Sequence, residues 1–147
     1  MSWQKTKVRA MQRINVLIVD DDEDDVFLMC SAIDSRAGNY PFQISRKVAH
    51  DGVAGIEMAK ALVGTDAAPD LMLLDLNMPR LDGLGVLATV RQTPELRYLP
   101  IVVITTASDP DTHDAATALG ANAVVTKPRS AAAFDRIIDE VFDTWLV

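Results

Sequence analysis

At 147 residues, 49% apolar and 24% charged, the chain can bury a core as one domain and has the composition of an ordinary globular protein. Net charge is −7, and the block Asp20 to Asp25 carries six acids, which leaves the rest of the chain at −1. That distribution argues for a local cation site and against nucleic-acid binding, which needs a basic face. The one cysteine, Cys30, excludes an internal disulfide and a cysteine-built metal centre.

The first 13 residues hold Lys5, Lys7, Arg9 and Arg13 and no acid. They lack the apolar stretch of a signal peptide and are expected to form a mobile basic arm ahead of a domain at 14–147. No run reaches transmembrane length, so a cytoplasmic protein without membrane contact is expected.

Ile14 to Val19 reads as a buried strand, and Val26 to Ile33 as a helix. Phe42 to Ala49 opens with the alternation F-Q-I-S, the pattern of a half-exposed edge strand. Gly52 to Val63 is helical, Leu71 to Leu74 a buried strand, and Leu84 to Arg91 helical again. Ile101 to Ile104 is another buried strand. The helix after it takes Asp109 as N-cap, Pro110 at its first position and Gly120 just past its end. Ala123 to Val125 is a short last strand. Ser130 caps a final helix whose apolar residues fall at 134, 137, 138, 141, 142 and 145. Strands alternating with helices in this way predict an α/β, doubly wound (βα)₅ fold with a parallel sheet covered on both faces.

In such a sheet, ligands bind outside the carboxyl ends of the strands. Here those ends carry Asp20 and Asp21, then Asp75, Thr105, and Thr126 with Lys127. If the first and third strands are neighbours, about 4.8 Å apart, their acids can share one ion. Hard oxygen ligands of this kind suit Mg²⁺, with Mn²⁺ as the substitute. Asp22, Glu23, Asp24 and Asp25 read instead as a solvated helix start, favoured by the macrodipole.

The segment LLDLNMPRLDG, Leu73 to Gly83, sharpens this reading. With Val19-Asp20-Asp21, Ile104-Thr105-Thr106-Ala107 and Thr126-Lys127-Pro128, it resembles the receiver domain of two-component response regulators, the CheY-like family, over residues 14 to 146. The start of the second strand and the segment L-P-I-V-V-I-T-T-A-S resemble single-domain regulators that serve phytochrome-type histidine kinases. The resemblance implies the flavodoxin-like strand order 2-1-3-4-5. It implies Asp75 as phosphoacceptor from a phosphohistidine. It also implies Mg²⁺ held by Asp20, Asp21, Asp75 and the backbone carbonyl of Asn77. Lys127 would pair with phosphoryl oxygens, Thr105 with neighbouring Thr106 would sense the phosphate, and the Lys127–Pro128 bond would be cis.

The implied function is a signalling phosphoprotein, not a turnover enzyme beyond its own phosphorylation and dephosphorylation. Its donor would be a histidine kinase or histidine phosphotransfer protein, and its output a phosphorylation-dependent grip on an unknown downstream protein, without direct nucleic-acid contact. The alternatives are a pseudo-receiver that binds partners without phosphorylation and a haloacid-dehalogenase-type phosphatase. The phosphatase pattern wants a second Asp two residues after the nucleophile, where Asn77 stands.

Val124 departs from the pattern, because many receivers carry there the aromatic residue that swings inward on activation. Arg80 and Arg129 are placed to reach phosphate or a partner acid, or to stand free. Asn77 and Ala107 occupy positions that tune phosphoryl lifetime in the family. His50 reads as loop and Asp51 as the cap of the second helix; His113 reads as a surface residue. In the first helix the family register turns Leu28, Ala32 and Ile33 inward and Phe27 and Cys30 outward, where they would either form a kinase-docking surface beside the site or be covered by the N-terminal arm. The last helix, ending near Trp145, lies on the face that receivers use for output or a homodimer.

Overall fold

The computed structural model describes residues 13–146, so the expected basic arm lies outside the described residues apart from Arg13, which opens the first strand. Strands and helices alternate as β1 (Arg13–Val19), α1 (Glu23–Arg36), β2 (Gln43–Ala49), α2 (Gly52–Leu62), β3 (Leu71–Leu74), α3 (Gly83–Gln92), β4 (Ile101–Thr105), α4 (Pro110–Ala118), β5 (Ala123–Thr126) and α5 (Ala131–Trp145), with a 3₁₀ turn at Ala37–Asn39 after α1.

Side chains set where the helices begin. Asp22 accepts from the Asp24 and Asp25 N–H groups, Asp51 from Ala54, Asp82 from Gly85, Asp109 from Thr112 and Ser130 from Ala133. Each cap satisfies an amide the helix cannot bond itself, typically contributing about 1 kcal/mol. Pro110 occupies the first turn of α4, and Gly120, with φ of +108°, turns the chain away just beyond it.

All strand pairs are parallel and the sheet order is β2-β1-β3-β4-β5. β1 is therefore flanked by β2 and β3, which brings the ends of β1 and β3 side by side. The strands' alternating side chains feed two cores. Ile14, Val16, Ile18, Leu71, Leu73, Val102 and Ile104 meet α1 and α5 on one face. Leu17, Val19, Met72, Leu74, Ile101 and Val103 meet α2, α3 and α4 on the other. A strand buried on both faces reads as an unbroken apolar run, which is why β3 and β4 show no alternation. β2, at the edge, is half-exposed along its length, with only Ala49 buried.

The register within α1 differs from expectation. Phe27 is exposed and Ala32 and Ile33 are buried as predicted, but Cys30 and Met29 are buried and Leu28 is only half-buried. At 100° per residue, Met29 shares its stripe with Ala32 and Ile33, and Cys30 lies one turn from Ile33. Cys30 sits near Arg46 of β2, under the part of α1 that covers the sheet edge, and burial pushes its thiol pKa up. A second surface of contact for one helix broadens its apolar stripe. Trp145 is half-buried and packs against the α1/α5 core.

Candidate functional site

The backbone ladder runs one residue beyond each strand and fixes the polar residues there. Asp20 N–H donates to the Ala49 carbonyl at 3.1 Å, Asp75 N–H to Val19 at 2.9 Å, and Lys127 N–H to Thr105 at 2.6 Å. Three strand ends are thereby locked into one edge. Gly83 makes the close approach on the far side: a Cβ there would meet the Asp75 carbonyl oxygen and Leu76, so only glycine lets α3 start this near.

Asp20 and Asp75 are almost completely buried, while Asp21 is exposed. One carboxylate oxygen from each of the three lies within 4.8 Å of the others. Asp20 Oδ1 accepts the Asp22 N–H at 2.9 Å. Asp20 Oδ2 and Asp75 Oδ1 accept no hydrogen bond, although both lie near the Lys127 ammonium, at 3.1 and 3.5 Å. Burial pushes the Asp20 pKa up to about 6, and the neighbouring Asp75 charge adds to this. Burial likewise raises Asp75, against the pull of Lys127 and of the N–H groups of Asn77 and Leu76. Two buried, unsatisfied carboxylate oxygens converging with a third carboxylate form a hard-oxygen donor set that fits a small divalent cation.

Lys127 has a third partner that the sequence reading missed. Its Nζ donates to Asp25 Oδ2 at 2.7 Å, the shortest of its three acid contacts. Burial works against the ammonium charge, yet the Asp25 bond and the charges of Asp20 and Asp75 hold the Lys127 pKa above its ordinary range. From the sequence alone Asp25 reads as part of a solvated helix start. The usable signal was its position three residues past the N-cap: helical side chains lean toward the helix N-terminus, so an acid there reaches back over the strand ends.

Thr105 is fully buried at the end of β4, and its hydroxyl accepts the Ala107 N–H at 3.2 Å. Thr106 and Asn77 are exposed beside the edge. The Lys127–Pro128 bond, expected to be cis, is trans, since no cis peptide occurs among the described residues. Trans is the intrinsic preference even before proline, by about 0.5–1 kcal/mol. Val124 is half-buried and packs on the α2/α3/α4 core.

Arg80 turns away from the acids and pairs with Asp51 at 3.2 Å, while Arg129 is exposed. Arg80 also takes a left-handed φ of 69°, and Leu81 N–H closes onto the Pro79 carbonyl around it at 2.8 Å. This tight turn passes directly over Gly52, where a Cβ would strike the Leu81 carbonyl. The loop after Asp75 is thus tied to the start of α2. Asp51 caps that helix as predicted, and His50 is an exposed loop residue. His113 is more than a surface residue: it is half-buried, and its Nε2 lies 2.7 Å from the Ala107 carbonyl, joining α4 to the loop after β4.

Residues 16–139 match the family model described as the response regulator receiver domain. The response regulator Rcp1 of Synechocystis sp. is 30% identical over 133 residues, covering 89% of this chain and 88% of Rcp1. Among solved structures, the Mn²⁺-bound form of Rcp1 aligns with a TM-score of 0.77 at 28% identity, covering 90% of this chain and 94% of that one. The phosphorylated cyanobacterial phytochrome response regulator RcpA gives 0.78 at 28% identity, over 91% and 94%. Sheet order, strand-end acids and sequence therefore lead to one assignment. This chain belongs to the response regulator receiver family.

Proposed function

We propose that Asp75 accepts a phosphoryl group from the phosphohistidine of a sensor kinase or phosphotransfer protein, with Mg²⁺ bound by Asp20, Asp21, Asp75 and the Asn77 carbonyl. The observation that carries this reading is the pair of orphaned, buried oxygens, Asp20 Oδ2 and Asp75 Oδ1, converging beside Lys127. The relatives support it: one solved structure is described as Mn²⁺-bound and another as phosphorylated.

An Asp75 oxygen attacks phosphorus, the phosphorus–nitrogen bond breaks, and the imidazole leaves with the bonding electrons. The product is an aspartyl phosphate. Such transfers depend on positioning and on neutralising charge at the phosphoryl oxygens. A divalent ion held by Asp20, Asp21 and Asp75 would supply that neutralisation on one side. Lys127 supplies it on the other, held at the end of β5 by its backbone bond to Thr105. Asp75 needs no base, because it attacks as the carboxylate, which Lys127 favours against the effect of burial. Thr105, rooted in the sheet, offers its hydroxyl to the new phosphate. Its oxygen already accepts the Ala107 N–H, so giving its proton to the phosphate would link that group directly to the loop tied to α4 by His113.

The test is intact mass after incubation with Mg²⁺ and acetyl phosphate, with Asp75→Asn alongside. One base-labile phosphoryl group, absent from the variant, is the expected result. No adduct and no beryllofluoride complex would leave the phosphorylation-independent pseudo-receiver as the reading. Steady turnover of a generic phosphate ester would instead favour the phosphatase.

A further inference from the structure

The shortest contact of Lys127 is not with the residue it is expected to serve. Nζ lies 2.7 Å from Asp25, 3.1 Å from Asp20 and 3.5 Å from Asp75, and of these three the Asp25 contact has hydrogen-bond geometry. The three acids also differ in what release would cost them. Asp20 and Asp75 side chains are 1% and 4% exposed, so neither can exchange Lys127 for water, whereas Asp25 is 21% exposed and can. Asp25 is therefore the acid from which Lys127 is most easily taken.

We propose that Asp25 is a positioning residue that holds Lys127 back from Asp75, and that a phosphoryl group on Asp75 takes Lys127 from it. The proposal rests on Asp75 being the phosphoacceptor. Phosphorylation replaces the single carboxylate charge of Asp75 with an acyl phosphate of about −1.5 to −2 that carries three acceptor oxygens, against the one charge of the partly exposed Asp25. The Lys127 stem is 6% exposed, so the ammonium has little freedom beyond choosing among these neighbours.

The exchange has a consequence for α1. Asp25 lies in its first turn, and the Lys127 bond ties that turn to the end of β5. Loss of the bond frees the turn that presents Phe27, which is 69% exposed two residues further on. α1 is joined at its other end to α5 through Arg36, 2.9 Å from Asp139 and 3.5 Å from Asp135. The tie at Asp25 is thus a phosphate-sensitive latch, in a chain where Val124 replaces the usual aromatic.

The test titrates beryllofluoride with Mg²⁺ into the full chain by calorimetry, comparing wild type with Asp25→Asn, Asp25→Glu and Asp24→Asn. Mg²⁺ alone and thermal melting are measured for each. Asp25→Asn should bind beryllofluoride about five-fold more tightly, because the amide oxygen competes for Lys127 less strongly than the carboxylate by about the worth of one net hydrogen bond. Asp25→Glu should return toward wild type. Asp24→Asn removes the same charge from an exposed neighbour without touching Lys127 and should stay within about two-fold, because exposed charges contribute little. Equal affinity in Asp25→Asn and wild type, or weaker binding in Asp25→Asn together with a lower melting temperature, would overturn the latch while leaving the phosphoacceptor assignment intact. A wild type that takes no beryllofluoride would remove both.

Discussion

Asp75→Asn should make the metal-free protein more stable, although it abolishes the proposed chemistry. Asp75 and Asp20 are both buried, each retains an unsatisfied oxygen, and the Asp75 charge raises the cost of ionising Asp20. Asp20 titrates near 6 instead of 3.8. A shift of that size corresponds to about 3 kcal/mol of disfavoured charge, at about 1.36 kcal/mol per pKa unit. Most of that is burial and stays with Asp20, so the variant recovers a fraction, about 1–2 kcal/mol, from the lost repulsion and from Asp75's own desolvation. The new amide NH₂ can also donate to the orphaned Asp20 Oδ2. For a domain of this size the gain is about 3–7 °C in Tm.

The pH dependence fixes the sign. A carboxyl whose folded pKa is raised contributes stability below its unfolded pKa and loses it as pH rises through the folded value. Wild type should therefore equal the variant near pH 3.8 and fall behind it progressively as pH rises through the raised folded pKa of Asp75, with the part due to Asp20 complete by about pH 6. Circular dichroism melts in EDTA from pH 4 to 8 measure this gap. Saturating Mg²⁺ should then close or reverse it, because binding stabilises the native state by mass action. A variant less stable than wild type at pH 7 in EDTA would refute the electrostatic account of the site.

Three further outcomes follow from packing and hydrogen bonding. Gly83→Ala, whose methyl would meet the Asp75 carbonyl oxygen, should cost about 1–3 kcal/mol in urea unfolding and weaken beryllofluoride binding, since the contact falls on the backbone of the acceptor itself. Arg91→Ala should cost about 2–3 kcal/mol, because its guanidinium bonds to the carbonyls of Arg97, Leu99 and Gly120 and to Asn122 Oδ1. Arg91→Lys should recover less than half of that in the same assay. Phe27→Ala should change stability by less than about 0.5 kcal/mol, as expected for an exposed side chain without core contacts.

What could be read from the sequence divides along physical lines. Ile101 to Ile104 and Leu71 to Leu74 are unbroken apolar runs of strand length, so the central strands, and with them the ends at Thr105 and Asp75, followed from local pattern. Asp51, Asp109 and Ser130 announced helix starts because capping is a contact between near neighbours in the chain. Contacts that depend on distant residues were not legible. Cys30 is buried because β2 lies beneath that flank of α1, and Arg80 finds Asp51 because the turn at Pro79–Leu81 crosses α2. The Asp25–Lys127 bond spans 102 residues and shows in no local window.

The acidic block is the hardest case, because six like charges in a row should repel and disorder the chain. The fold instead gives them separate tasks, set by a strand that ends and a helix that begins within three residues. Asp20 points inward at the strand end, and Asp21 points outward within reach of the same space. Asp22 turns its carboxylate onto the amides of Asp24 and Asp25. Glu23 and Asp24 face solvent in the first turn, where the helix dipole favours them. Asp25, one position later, comes back to Lys127. Extended backbone alternates direction and helix advances 100° per residue, so consecutive acids cannot all share one side. Repulsion within the block is thereby diluted by geometry, and what persists is concentrated where Asp20, Asp21 and Asp75 converge. That residual repulsion would give a divalent cation something to neutralise, so the two acids at the head of the block would favour ion binding while the other four serve the helix start and Lys127.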